Sequence, residues 1–149
     1  MGNFYVSEGD QVSFAKTVSE SDVYLFAGVT GDLAPVHVNQ ALMERSAYGQ
    51  RIAHGALLVG FMSTTSTLMV DKAQDSHSKG ETPVSLGYDR VRFTGAVLFG
   101  DTVTINYVIT GIDEVKRRST ADIKITNQRG ETVAVATHIL KWVKADGKE

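Results

Sequence analysis

The chain has 149 residues, 42% of them hydrophobic, which is enough for one domain with a moderate core. Lys and Arg number 15 against 17 Asp and Glu, a formal net charge of -2 that argues against nucleic acid or an anionic membrane surface as the main partner. Cysteine is absent, which excludes a disulfide framework and thiolate chemistry. MGNFYVSEGD lacks a basic segment followed by an apolar run, so the expected location is the cytoplasm.

In chain order, residues 10–18, DQVSFAKTV, alternate in the period of a strand. SESDVYLFAGV follows with Ser19 or Ser21 as N-cap and Val23, Tyr24, Phe26 and Ala27 spaced for one helical face, stopping near Gly28 to Gly31. After the turn GDLAPVHV, Asn39 is a good N-cap for a short helix, QALMERSAY, ended at Gly49. From about Ala53 to Val70 the chain is apolar nearly all round, with Gly55 and Gly60 inside. This predicts the central helix of the domain, packed on most sides. DKAQDSHSKGE has no periodicity and reads as a loop.

From Pro83 the pattern becomes strands: VSLGYDRVRF, GDTVTINYVITGI, RRSTADIKIT and ETVAVATHILKWV, with turns at GAVLFGD, DEVK and NQRG. Val133, Val135, Thr137 and Ile139 alternate with Ala134, Ala136, His138 and Leu140, so both faces of the last strand are largely apolar and it is expected to be central. The order predicts a single α+β domain over residues 1–149, an antiparallel sheet wrapped around one long helix.

Asp32 and His37 stand on a connection stiffened by Pro35 and entered through Gly31. A carboxylate and an imidazole facing one volume suit proton transfer to or from water, which is hydration, dehydration or hydrolysis chemistry. The same two residues also fit an ordinary loop. Gly55 opens the long helix, where unpaired N–H groups and the positive dipole end lie, and is a candidate oxyanion donor, or simply a site of close packing. His54 adjoins it and either faces the site or is satisfied by neighbours. His138 reads as a core histidine and His77 as a solvated one. Asp32, His37 and His54 lack a recognisable zinc spacing, so no metal is expected. Arg90 and Arg92 are candidates for phosphate contacts, whereas Lys116, Arg117 and Arg118 read as a solvated hairpin.

FAGVTGDLAPVH, IAHGALLVGFMS and VRFTGAVLFGDTV together resemble the MaoC-like hydratase family, the hotdog-fold (R)-specific enoyl-CoA hydratases. The likeness runs from about residue 20 to 110. It implies that Asp32 and His37 hold a water and add it across the 2,3 double bond of an enoyl thioester to give a (3R)-hydroxyacyl-CoA. It further implies that the Gly55 N–H polarises the thioester carbonyl and that Ser63 belongs to the site. No metal or redox cofactor is implied, the substrate carrying coenzyme A itself, and the chain is expected to form a homodimer whose acyl pocket both copies line. Two positions depart from the family pattern: Ala34 stands where asparagine is usual, and Ala96 where proline is. Two other functions remain open: a non-catalytic acyl-thioester-binding domain, with Ala34 as the mark of a decayed site, and a hotdog thioesterase.

Overall fold

In the computed structural model, which describes residues 4–73 and 76–147, the first alternating segment forms strand β1 (Gln11–Thr17). Ser19 then starts helix α1 (Glu20–Thr30) through a capping box: its hydroxyl accepts the Asp22 N–H and the Asp22 carboxylate accepts the Ser19 N–H. Gly31 ends the helix at φ 80°, a conformation that costs glycine nothing. Pro35 opens a single helical turn, α2 (Pro35–Val38), and Asn39 caps another, α3 (Gln40–Met43), by accepting the Leu42 N–H. The longer helix expected over QALMERSAY therefore stops after Met43. Ser46 is the reason: its N–H and hydroxyl both bond the Met43 carbonyl, and its Oγ accepts the Tyr48 N–H, so local bonds replace the helical ladder.

The central helix, α4, spans Gly55–Lys72, with His54 at the N-cap position. It is buried on one broad face, Leu58, Phe61, Met62, Thr65, Ser66 and Met69, while Ala56, Gly60, Ser63 and Thr67 form an exposed stripe. The expectation of a helix covered on most sides holds apart from this stripe. Its apolar appearance owed much to small residues, which have little area to bury. Asp71 and Lys72, expected in the loop, prolong the helix, and His77–Lys79 make a short 3-10 turn. Residues 74 and 75 and the side chain of His77 lie outside the described residues.

The remaining strands are β2 (Glu81–Phe93), β3 (Thr102–Asp113), β4 (Arg118–Asn127) and β5 (Thr132–Lys144). With β1 they form one antiparallel sheet in the order β1-β3-β4-β5-β2. β4 occupies the middle, and β5, expected to be central, is an interior strand beside the β2 edge. One sheet face, including Val103, Ile105, Ile123, Ile125, Ala134 and Ala136, is buried in the core with the apolar side of α4. A sheet curled around one long helix is the hotdog fold. Arg117 is not solvated as the basic run suggested. At φ 53° it turns back to pair with buried Glu81 and cover the rings of Phe4 and Tyr5, and this guanidinium holds the Glu81 carboxyl below its ordinary range against the effect of burial. No helix among the described residues is long and apolar enough to cross a membrane.

Candidate active site

The turn between α1 and α2 is held by its own side chains. Thr30 Oγ1 accepts the Asp32 N–H at 3.2 Å, and Asp32 Oδ1 accepts the Ala34 N–H at 3.3 Å. Ala34 is the N-cap of α2 and has no side chain with which to cap it, so Pro35, which has no N–H to leave unpaired, carries the helix start. One turn later His37 points inward, 9% exposed, with Nδ1 2.8 Å from the Ile52 carbonyl. A carbonyl only accepts, so Nδ1 bears the proton and the lone pair is on Nε2.

His54 is placed by the approach to α4 and is 2% exposed. Its Nε2 lies 2.9 Å from the Asp32 carbonyl and 3.9 Å from Asp32 Oδ2, which fixes its tautomer by the same argument. Two rings contact its own: His37 stacks on it at 3.6 Å between centroids, and Phe26 lies tilted at 4.7 Å. Asp32 and His37, from one turn, thus converge with His54 from the start of α4. His54 Nδ1 is buried without a hydrogen-bond partner among the described residues.

Beside the imidazoles lies a cleft of about 320 Å³ lined by His37, Tyr48, Gly55, Leu58, Phe93 and Ala96 among others. Gly55 lines this cleft as the first residue of α4, where an N–H has no intrahelical acceptor. The Phe93 ring occupies the space that a side chain at 55 would need: a Cβ built there would lie 2.6 Å from ring carbons. Glycine at 55 therefore answers to close packing, the second of the two readings that the sequence left open. Arg51 straps the segment down, bonding Glu20 Oε1 at 2.7 Å and Gln40 Oε1 at 2.9 Å with its guanidinium over Phe99.

The other candidates lie elsewhere. Ser63 is on the exposed stripe of α4, two turns beyond Gly55, with its hydroxyl by Tyr88. Arg90 and Arg92 line a different groove with Asn106, Asp122, Lys124 and Thr137, and Arg90 donates to Thr137 Oγ1 at 2.8 Å. A bulge between Asp89 and Arg92 places Arg90 at φ 52°. His138 is fully buried, as its apolar strand suggested. Asp32, His37 and His54 each offer an atom within 4.8 Å of the others, a convergence that spacing along the chain concealed. His54 Nε2, however, directs its proton to a backbone carbonyl and is not a lone-pair donor in this arrangement. Sequence reasoning missed Phe93 and Phe26 as parts of the site. Both are ordinary apolar residues whose role depends on what packs across from them.

The MaoC-like domain model matches residues 6–131. An (R)-specific enoyl-CoA hydratase from Rhodospirillum rubrum is 36% identical over 112 residues, 75% of this chain and 72% of that protein. A 3-hydroxybutyryl-CoA dehydratase from Methylorubrum extorquens is 29% identical over 90% of this chain and 77% of its own. Among solved structures, the (R)-hydratase of A. caviae superposes with a TM-score of 0.78 at 26% identity, covering 91% of this chain and 96% of that one. From the matched domain, the relatives and the shared hotdog fold, the chain belongs to the MaoC-like domain family.

Proposed function

We propose that the chain is a hydro-lyase that adds water reversibly to the 2,3 double bond of an enoyl-CoA, giving a (3R)-hydroxyacyl-CoA. The observation that carries this reading is the tautomer of His37. Its Nδ1 proton is committed to the Ile52 carbonyl, which leaves Nε2 as a base beside a cleft that also holds the Gly55 N–H. Nε2 takes a proton from a water oriented by the Asp32 carboxylate. The water oxygen bonds to C3, the double-bond electrons move toward the thioester, and the Gly55 N–H meets the charge that develops on the carbonyl oxygen. The proton returns to C2, and dehydration is the same path reversed. Arg90 and Arg92 have no part in this reading, because they line another groove.

The reading includes a homodimer. β2 is a sheet edge with Val84, Leu86 and Phe93 exposed, and the small-residue stripe of α4 is uncovered. A second copy would shield both, and sedimentation velocity showing a stable monomer would remove this element. The test of the chemistry is loss of enoyl-thioester absorbance with crotonyl-CoA, compared with the His37→Ala and Asp32→Asn variants. Turnover in the wild type and its loss in folded variants is the expected outcome. Near-normal rates in either variant would overturn the mechanism.

One observation favours a second reading, an acyl-thioester-binding module without turnover. Ala34 leaves α2 without a side-chain cap, and the Asp32 carboxylate turns to the Ala34 N–H instead. Binding of crotonyl-CoA by calorimetry, with no loss of absorbance, would decide for it.

A further inference from the structure

The inner face of the sheet carries a polar cluster that the chemistry above does not use. His138, on β5, is fully buried and has both ring nitrogens engaged: Nε2 lies 2.7 Å from Ser85 Oγ, and Nδ1 lies 2.9 Å from the Tyr107 hydroxyl. Burial pushes its pKa down to about 4, so at neutral pH it is an uncharged part of the scaffold. Tyr88, on β2, stacks on this imidazole at 4.6 Å between centroids. The Tyr88 hydroxyl is shielded from solvent and lies beside the Ser63 and Ser85 hydroxyls without a well-formed hydrogen bond to either. An unpaired buried hydroxyl costs free energy and calls for an explanation.

Its position supplies one. α4 and β2 run in opposite directions along a shared seam: Gly55 meets Phe93 at one end, and Ser63 meets Tyr88 at the other. Along the helix the two points are about 12 Å apart, at about 1.5 Å per residue. The catalytic cleft enters this seam at Gly55, Leu58 and Phe93. A thioester carbonyl on the Gly55 N–H would direct a chain of moderate length from the cleft toward the cluster. Ser63 and Ser85 are both exposed in the single chain, so the cluster borders the face that a second copy would cover.

We propose, on the basis of the hydratase reading, that Ser63, Ser85 and Tyr88 form the far end of the acyl slot and select thioesters whose tail carries a neutral oxygen, a hydroxyl or a carbonyl. The groups at this end are hydroxyls and an uncharged imidazole. They can donate to and accept from a neutral oxygen, but they provide no cation to compensate a carboxylate. A plain hydrocarbon tail would cover the Tyr88 hydroxyl without pairing it.

The test uses pairs of 2-enoyl-CoA substrates of equal length, from hexenoyl to decenoyl, with and without a terminal hydroxyl. For the wild type, kcat/KM is expected to be about tenfold higher for the hydroxylated member at one chain length, with the gain in KM. Tyr88→Phe, which keeps the ring stacked on His138, should make the pair equal. Equal treatment of every pair by the wild type would overturn the proposal. So would an equal loss on both members in Tyr88→Phe, which would assign the hydroxyl to the pantetheine arm or to the fold. Calorimetry with the corresponding saturated hydroxyacyl-CoA and acyl-CoA separates this from the reaction itself. If nothing is hydrated but a Tyr88-dependent binding preference remains, the hydratase reading fails and the slot stands. If no binding preference is seen, the slot fails whatever the turnover.

Discussion

The imidazoles of His37 and His54 stack with their centroids 3.6 Å apart and their planes 26° from parallel, each with one nitrogen against a different backbone carbonyl. The pair is asymmetric in use. His37 lines the cleft, while His54 ties the Asp32 backbone to the start of α4. In the proposed hydration His54 is therefore a positioning residue, for Asp32 through its backbone carbonyl and for the plane of the His37 ring.

Replacing His54 with Leu removes the donor to the Asp32 carbonyl and should lower kcat by about 100-fold, the scale of a misplaced reacting group, with a smaller change in KM. His54→Gln, which retains an N–H at a similar reach, should recover most of the rate. Steady-state kinetics of both variants checks this. Equal rates for the Leu and Gln variants would show that the Asp32 hydrogen bond is irrelevant.

Gly55→Ala places a methyl group against the Phe93 ring, where the distance is 2.6 Å. Overpacking of this kind should cost about 1–3 kcal/mol in urea denaturation. Phe93 is half exposed, so Phe93→Ala in the same chain should relieve the clash. A double-mutant cycle with no coupling between the two positions would contradict the contact.

His138 gives the stability a pH dependence of known sign. Its pKa is lowered from 6.5 to about 4 by burial, so between these values the unfolded chain binds a proton that the folded one does not. Stability should be fully present above about pH 6.5 and fall as the pH drops toward 4, by on the order of 3 kcal/mol for this group. Urea midpoints across that interval, compared with His138→Gln, measure it. A slope identical in the two proteins would assign the dependence to other groups.

Ala34→Asn supplies the missing cap of α2, accepting an N–H of its first turn, and should stabilise the fold by about 0.5–1 kcal/mol. It also competes with Asp32 for the local turn donors and should leave turnover equal or raised. Thermal melts and crotonyl-CoA kinetics on the one variant test both parts. A lower Tm would show that the turn has no room for the side chain.

Much of this architecture was legible along the chain because its signals are local. The Ser19 cap, the Gly31 stop and the four late strands follow from nearest-neighbour chemistry and alternation. The turn carrying Asp32 and His37 was visible for the same reason, since a glycine, a proline and two polar side chains within eight residues restrict the backbone by themselves. The failures are also physical. Ser46 ended α3 through bonds its side chain makes to the backbone, and Arg117 was drawn from solvent by Glu81, which is distant in sequence.

Sequence alone therefore determined the fold class, the paired acid and imidazole, and the glycine at the start of the long helix. Tertiary structure decided which nitrogen of His37 is free, because that depends on the Ile52 carbonyl. It decided that His54 serves Asp32, that Phe93 covers Gly55, and that Tyr88 keeps an unpaired hydroxyl two helical turns away. Each of these depends on a partner brought near by the closing of the sheet around α4, and neither propensity nor periodicity contains that distance.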